Sequence, residues 1–326
     1  MSEIAVLGRI QNKLTRDRRR TLVAFAFAAI VFVVGAFLHS GFASWGSMSA
    51  ILEVASFVGF VAAGQTFVIL VGGIDLSVPW VLNAAGILFA VFSLGHSGRA
   101  VPAVLLALGL GFAIGAANGF CVAYLAVPAV VMTLAMNGIM EGLTLGLTKG
   151  LTCVRCNSYA PQVLQDVVHK DLLGIPADLI LWFGVAALAS VVLAFTTYGR
   201  KVYATGNNPT AAYLAGVNVR LVTMSLYGLS GMFAALAGIV LVSYSGQPTL
   251  GMGDPYLFQS IAAAVIGGIS ILGGRGNYLG TVAGAVSLVA LISLLEAENM
   301  PDYGRSIVYG VAILVVLVLF GREERV

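Results

Sequence analysis

The residues able to do chemistry in this chain are a few polar side chains set in long apolar runs. An amide or carboxyl group at membrane depth costs free energy unless it is hydrogen-bonded. Each such residue therefore predicts either a hydrogen bond between helices or a polar passage for a hydroxyl-bearing solute, and both interpretations stay open. The candidates for the passage are Gln65, Asn83, Asn118, Asn137 and Glu141.

Sequence patterns for catalysis, nucleotide binding and metal binding are absent. The chain contains no Gly-x-x-x-x-Gly-Lys-Ser/Thr phosphate loop and no Gly-x-Ser-x-Gly elbow, and its three histidines are far apart. We therefore predict no catalytic residue, no metal site and no cofactor bound by this chain. Cys153 and Cys156 lie in a hydrophilic segment, where an oxidising compartment would permit a disulfide, and the pairing is left open.

The elements that must position these residues are membrane helices. Of the 326 residues, 59% are apolar and only 10% are charged, and the mean hydropathy is +0.98. A water-soluble globule cannot bury so much apolar surface, so a soluble enzyme is excluded. The net charge of +3 comes mainly from one N-terminal cluster, which argues against nucleic-acid binding.

The pattern predicts an all-α polytopic membrane protein with about ten transmembrane helices, because each span needs roughly 20 apolar residues. Charge-free intervals, cut at Gly, Pro and polar clusters, place the spans near 22–38, 50–71, 76–94, 101–125, 129–147, 179–196, 223–244, 256–272, 277–295 and 304–320. The eighth is the weakest, because the glycines and prolines of 245–260 would also suit a re-entrant turn.

Basic residues set the predicted orientation. With ten spans and both termini cytoplasmic, twelve of the 17 Lys and Arg residues lie inside and five outside. We expect the first span to be retained, because 1–20 lacks the features of a cleavable signal peptide. The predicted organisation is a basic segment (1–20), one membrane domain (21–321) with a periplasmic loop (148–178) and a cytoplasmic loop (197–222), and a tail (322–326).

Small residues recur at helical spacing in two of the spans. Gly111, Gly115 and Gly119 are four residues apart, and Gly280 and Gly284 repeat the spacing. Four-residue spacing places glycines on one helix face, where another backbone can approach closely. Both stripes therefore predict tight helix packing.

Two short blocks are rich in glycine. Residues 72–79 read Gly-Gly-Ile-Asp-Leu-Ser-Val-Pro, in which Gly72 and Gly73 permit a sharp turn and Asp75 or Ser77 can cap the next helix. A transport role for this turn is the alternative interpretation. Residues 261–284 hold two glycine pairs around a short apolar run, and the second pair predicts a tight cytoplasmic turn.

A third block, 205–219, predicts a short helix inside the cytoplasmic loop. Asn207 or Asn208 is a natural N-cap, Pro209 suits the first helical position, and Gly216 ends the helix. A helix too short to span the bilayer either lies on the membrane surface or docks into a partner.

In this order and spacing, the three blocks resemble those of permease subunits of bacterial ABC importers for monosaccharides of the ribose, xylose, arabinose and galactose branch. The resemblance covers the chain from about residue 50 to about residue 320. It implies a multi-pass protein of the inner membrane that pairs with a second permease subunit, identical or different. It also implies two ATPase subunits that carry ATP and Mg, and a periplasmic sugar-binding protein.

The resemblance also assigns roles to residues. The short helix matches the coupling helix that docks into the ATPase, which assigns ATPase coupling to Gly206, Asn207, Asn208, Pro209, Ala211, Ala212 and Gly216. The motif turn is formed by Gly72, Gly73, Asp75 and Ser77.

We therefore predict a permease subunit that is not itself an enzyme and that imports a sugar with ATP hydrolysed by its partners. The main alternative is an ion-coupled secondary transporter of a small polar solute, and an intramembrane enzyme or scaffold is a further one. The cargo stays open among a sugar, a nucleoside and a furanose-type signalling molecule.

Overall fold

The computed structural model of the chain describes residues 3–151, 158–172, 174–301, 303–305, 307, 308, 310, 311 and 314. Its helices are α1 (Glu3–Leu38), α2 (Trp45–Ile69), α3 (Val78–Ser93), α4 (Ala100–Tyr124), α5 (Ala129–Thr148), α6 (Gln162–Val168), α7 (Ala177–Phe195), α8 (Thr197–Asn207), α9 (Pro209–Leu214), α10 (Val219–Ser245), α11 (Tyr256–Ile266) and α12 (Tyr278–Ala297). A 3₁₀ turn (Ser97–Arg99) precedes α4, and β1 (Asp171–Leu172) pairs antiparallel with β2 (Ile175–Pro176).

Seven helical segments in the described part of the chain are long and apolar enough to cross a membrane. They lie in α1, α2, α4, α5, α7, α10 and α12, and α3 and α11 are shorter apolar helices. This confirms the predicted all-α polytopic membrane protein. The last predicted span, 304–320, lies mostly outside the described residues.

The predicted span 256–272 is wrong in its second half, because α11 ends at Ile266. Gly268 adopts a left-handed φ of +89°, and the Ile269 N–H closes the helix end by donating to the Ala264 carbonyl at 3.0 Å. Such a glycine-based C-cap stops the helix after 11 residues, or about 16 Å, which is half of a bilayer core. Residues 267–277 then form an irregular loop before α12.

The two predicted glycine stripes pack as expected. A methyl group on Gly115 would overlap the Tyr227 carbonyl oxygen, and one on Gly119 would lie 2.6 Å from the Met224 Cα. Only glycine lets the backbones of α4 and α10 approach so closely. On α12, a methyl group on Gly284 would likewise overlap the Ala263 carbonyl oxygen of α11.

Burial separates the central helices from the peripheral ones. Most of α2 and α10 is buried in the protein, whereas α1, α5 and α7 expose most of their apolar side chains, such as Phe37, Leu147 and Phe195. Exposed apolar faces on spanning helices are the faces that lipid covers. The buried polar residues Gln65 of α2, Asn118 of α4 and Ser230 of α10 therefore lie in the interior of the bundle.

We expect Gly115→Leu to lower the midpoint of thermal unfolding of the detergent-solubilised protein. Overpacking of this kind costs about 1–3 kcal/mol or more, because the backbone of α10 must move away. The matched control is Gly109→Leu on the same helix, where no atom lies within 4 Å of an added methyl group. Equal midpoints for the two variants, measured by size-exclusion chromatography after heating, would contradict the packing.

Candidate functional site

The motif turn begins where α2 ends. Gly72 has a φ of +79°, and its N–H donates to the Ile69 carbonyl at 2.8 Å. Gly73 lies against the Tyr227 hydroxyl, which leaves no room for a side chain. The two glycines thus let the chain reverse within the packed interior and bring Asp75 beneath the end of α2.

A buried hydrogen-bond network surrounds Asp75. Its Oδ1 accepts from the Ser77 N–H at 3.0 Å and from the Ser77 hydroxyl at 2.6 Å. The Gln65 amide donates to the Asp75 carbonyl at 2.6 Å, and the Asn118 amide donates to the Ser77 hydroxyl at 2.9 Å. All four side chains are buried. The network therefore ties the turn to α2 and α4.

The network changes the roles expected for the turn. Ser77 occupies the N-cap position of α3, but its side chain makes no capping hydrogen bond. Its hydroxyl is instead committed to Asp75, because the buried carboxylate is the stronger acceptor. Gln65 and Asn118, predicted as passage residues, are committed to the turn, and their role in a passage stays a prediction.

Sequence reasoning missed two members of this region, Tyr227 and Ser230 of α10. Both are almost fully buried, and their side chains face Asp75. The Ser230 hydroxyl lies within hydrogen-bonding reach of the Asp75 side chain, whereas the Tyr227 hydroxyl and Asn118 Oδ1 have no hydrogen-bond partner within the described residues. The spacing of Tyr227 and Ser230, three residues apart on one helix face, is the signal that could have shown them.

The predicted short helix is present as α9. Asn208 is its N-cap, because its side-chain oxygen accepts from the Ala211 N–H at 3.0 Å. Pro209 stands in the first turn, and Gly216 adopts a φ of +83° just beyond the helix. Within α9, the Ala212 side chain is buried, whereas the Tyr213 and Leu214 side chains are 71% and 79% exposed.

Asn207 has a different role from its neighbour. It is the last residue of α8, and its amide donates to the Tyr203 carbonyl at 2.7 Å and to the Gly274 carbonyl at 3.2 Å. The Tyr203 hydroxyl donates to the Gly276 carbonyl at 2.7 Å. The sequence did not predict α8 as a helix. The bonds from Asn207 to Gly274 and from Tyr203 to Gly276 attach this helix to the loop 267–277.

The three sequence blocks meet at one place, where a methyl group on Gly273 would lie 2.9 Å from the Gly72 nitrogen and 3.2 Å from the Gly206 carbonyl oxygen. The Gly274 N–H donates to the Leu70 carbonyl at 2.8 Å, directly beside Gly206. A methyl group on Gly206 would overlap the Leu70 carbonyl oxygen and would lie 2.6 Å from the Gly274 nitrogen. We call this contact, formed by Leu70, Gly206, Asn207 and Gly274, the motif junction.

An open cleft of about 1040 Å³ lies beside α9. Its walls come from the end of α4, from α9 and from the start of α10, and the Arg220 guanidinium lies 5.6 Å from the centre of the Tyr124 ring. The cleft combines a basic group with exposed aromatic and apolar side chains. Such a surface is typical of a contact with another protein.

The remaining predicted passage residues lie away from the motif junction. With its amide oriented to satisfy both neighbours, Asn83 of α3 donates to the Thr249 carbonyl at 3.1 Å and accepts from the Gly251 N–H at 2.8 Å. Asn137 and Glu141 are partly exposed and lie one turn apart on α5. The structure thus does not gather the five candidates into one site.

Sequence reasoning also missed Asp254, in the segment that follows α10. Burial and the nearby Glu141 carboxylate raise the pKa of Asp254. An acidic residue directly before the Pro255 that starts α11 was the available signal. Asp254 and Glu141 form an acidic pair, and Gly253, next to Asp254, packs against the Pro79 backbone at the start of α3.

The predicted disulfide lies elsewhere in the chain. Cys153 and Cys156 are outside the described residues, so their pairing stays a prediction. Cys121 of α4 is a free cysteine. The described part of the chain holds no group of three or more His, Cys, Asp or Glu residues that could bind a metal ion.

Apolar spanning helices, an interior polar turn and an exposed short helix at one end define a membrane permease. Residues 47–317 match the family described as branched-chain amino acid transport system / permease component, and the chain belongs to that family. It is a multi-pass permease component of a bacterial import system, located in the inner membrane.

Curated relatives cover most of the chain. The fructose import permease FrcC of Rhizobium meliloti is 34% identical over 84% of this chain and 76% of its own length. The autoinducer 2 import permease LsrC of Escherichia coli is 33% identical over 94% and 88%, and that of Salmonella paratyphi B is 36% identical over 95% and 88%. No solved structure matches the chain significantly. The relatives are transport subunits, which favours the permease prediction over the secondary transporter and the enzyme.

We expect Asp75→Ala to destabilise the protein more than Asp75→Asn. The alanine leaves the buried Ser77 N–H and hydroxyl without an acceptor, which costs about 1–3 kcal/mol for a buried group, whereas asparagine retains an acceptor oxygen. The midpoint of thermal unfolding in detergent measures the effect. Asp166→Ala on the exposed face of α6 serves as the control. A wild-type midpoint for Asp75→Ala would rule out the network as a stabilising element.

Proposed function

We propose that this chain is the permease subunit of an ATP-driven importer that takes up a monosaccharide or a related small polar solute. The single observation that carries the proposal is α9, a capped short helix whose Tyr213 and Leu214 are exposed beside the motif junction. The relatives named for fructose and autoinducer 2 import support a polar cargo. Their similarity extends over most of this chain, so it includes α9 as well as the spans.

The proposed topology has ten membrane crossings, the eighth made by residues 247–255 together with the half-length α11, and both termini and the motif junction lie in the cytoplasm. Two pairs of helix ends that this topology places on the same side of the membrane are in contact in the structure. The Asn277 amide donates to Thr21 at 3.0 Å at the proposed inner side, and His39 lies 3.0 Å from Glu298 at the outer side. The charge bias supports the direction, since twelve of 17 basic residues then face the cytoplasm. The proposed parts remain 1–20, the membrane domain 21–321 with its loops 148–178 and 197–222, and the tail 322–326.

In the proposed assembly, ATPase subunits dock onto α9 and the adjoining cleft. The exposed Tyr213 and Leu214 supply apolar contact area, and Arg220 supplies a charge at the rim. A second permease subunit completes the membrane part, and a periplasmic binding protein delivers the cargo to the face that carries 148–178. ATP and Mg are held by the ATPase subunits, and this chain needs no cofactor of its own.

The transport step is a switch between outward-open and inward-open states. Docking and ATP hydrolysis shift α9, and because α9 is joined to α8 through Asn208, the shift reaches the motif junction. Among the predicted passage residues, Asn137 and Glu141 are the best placed to meet cargo, because neither belongs to the hydrogen-bond network of the motif turn. Asp254, beside Glu141, extends this polar surface.

Reconstituted transport tests the proposal. The chain is placed in proteoliposomes together with its ATPase and binding protein, and uptake of labelled fructose is measured with autoinducer 2 and leucine as competitors. We expect uptake that requires ATP hydrolysis and resists ionophores. Uptake driven by an ion gradient without nucleotide would overturn the proposal in favour of a secondary transporter. Inhibition by leucine alone would overturn the polar cargo.

Changes in α9 are expected to uncouple ATP hydrolysis from uptake while the protein still inserts. Replacing Asn208 and Pro209 together with alanine removes the N-cap, and Gly216→Leu forces a left-handed φ of +83° on a bulky residue. The ratio of cargo taken up to ATP hydrolysed should fall severalfold. Ser44→Ala removes an equivalent N-cap from α2, away from α9 and its cleft, and should keep the ratio. A wild-type ratio in the α9 variants would count against docking there.

A further inference from the structure

We propose that Tyr203 and Asn207 of α8 are positioning residues that pass the movement of the coupling segment to the loop 267–277, whereas the contact of Tyr198 with α10 does not carry it. This inference rests on the proposed function. It adds the element that receives the movement and the two side chains that make the connection. The observation behind it is the pair of hydrogen bonds from α8 to the Gly276 and Gly274 carbonyls.

The two side chains lie on one face of α8. Tyr203 and Asn207 are four residues apart, and residues at this spacing are neighbours on a helix surface. The Asn207 amide also donates to the Tyr203 carbonyl at 2.7 Å, which holds its side chain against the helix. Both side chains therefore meet the loop as parts of a rigid helix.

The loop 267–277 can receive a displacement as a unit. The Ser270 N–H donates to the Arg275 carbonyl at 3.1 Å, and the Gly273 N–H donates to the Ser270 carbonyl at 3.0 Å. These bonds close the loop on itself. Gly273, Gly274 and Gly276 all have positive φ, and an added methyl group at each would meet neighbouring atoms within 3 Å. A loop packed so closely moves with the groups that it touches.

The loop connects α8 to three further elements. It joins α11 to α12, and the Gly274 N–H donates to the Leu70 carbonyl at the end of α2 at 2.8 Å. The Leu70 carbonyl lies at the start of the motif turn that holds Asp75. A displacement of α8 along this route therefore reaches the half-length helix α11 and the buried polar network together.

A second route runs from α8 to α10. The Tyr198 hydroxyl lies 2.7 Å from the Ser225 hydroxyl, and α9 leads by a short turn into α10. However, α10 is packed on α4 through Gly111, Gly115 and Gly119, so it moves only together with α4. The structure thus offers two routes from α8, each with one tyrosine hydroxyl, and this makes a matched comparison possible.

The test compares Tyr203→Phe with Tyr198→Phe, each of which deletes one hydroxyl group of α8. Both variants are reconstituted with the ATPase and the binding protein, and cargo uptake and binding-protein-stimulated ATP hydrolysis are measured together. A neutral hydrogen bond contributes enough to stability for its loss to change an equilibrium by about two- to tenfold. We expect the cargo taken up per ATP to fall by this factor in Tyr203→Phe and to stay at the wild-type value in Tyr198→Phe.

A second variant, Asn207→Ala, removes the other bond to the loop and should lower the same ratio. The midpoint of thermal unfolding is recorded for every variant, because a purely structural loss would lower the midpoint and the yield while leaving the ratio unchanged. A wild-type ratio in either loop variant, or an equal fall in Tyr198→Phe, would overturn the inference. If the wild-type protein shows no ATP-dependent uptake, the proposed function fails instead, so the two failures are distinguishable.

Discussion

The structure depends on direct contact between backbones at positions where no side chain fits. The Leu70 carbonyl accepts from the Gly274 N–H beside Gly206, and this one contact brings together three sequence blocks that are far apart in the chain. Polar backbone groups that leave a helix inside a membrane protein must be satisfied by other protein groups. Glycine permits this, because its missing side chain lets a second backbone come close enough to supply the hydrogen bond. The glycines of the motif blocks therefore do two things. They let the irregular segments turn sharply, and they let another backbone come close enough to satisfy the polar groups of these segments.

The same constraint explains the buried side chains near the junction. Asp75 sits in a turn that is fully enclosed by α2, α4 and α10, where water cannot solvate a carboxylate. Ser77 satisfies Asp75 Oδ1, and Gln65 satisfies both backbone groups of Asp75. An unsatisfied polar group in this position would cost about 1–3 kcal/mol, so the turn itself accounts for the polarity of Gln65 and Ser77. Their polarity alone therefore cannot show that they line a passage.

Sequence patterns correctly predicted the structural features that depend on residues close together in the chain. Apolar length predicted the spanning helices, four-residue glycine spacing predicted the contact of α4 with α10, and the Asn208–Pro209 pair predicted α9. The missed features depend on distant partners. Asn207 has the same residue type as Asn208, yet it belongs to α8 because Gly274, 67 residues away, accepts its amide proton. Likewise, α11 stops at Ile266 because Gly268 adopts a left-handed φ and Gly267 packs against Gly280 of α12, a contact that no window of apolar residues reveals.

Close packing also divides the interior into parts of different stiffness. Three glycines of α4 lie against the backbone of α10, and this long contact binds two full-length helices into one body. By contrast, α11 spans only 11 residues and is continued by a loop held through backbone hydrogen bonds and the side chains of α8. Packed interfaces resist continuous deformation, so closely packed segments move together as units. The loop between α11 and α12 is closely packed through Gly273, Gly274 and Gly276, and it lies at the end of the bundle where α9 is exposed. An importer driven from this end therefore needs only to shift α8 for the displacement to enter the membrane domain through this loop.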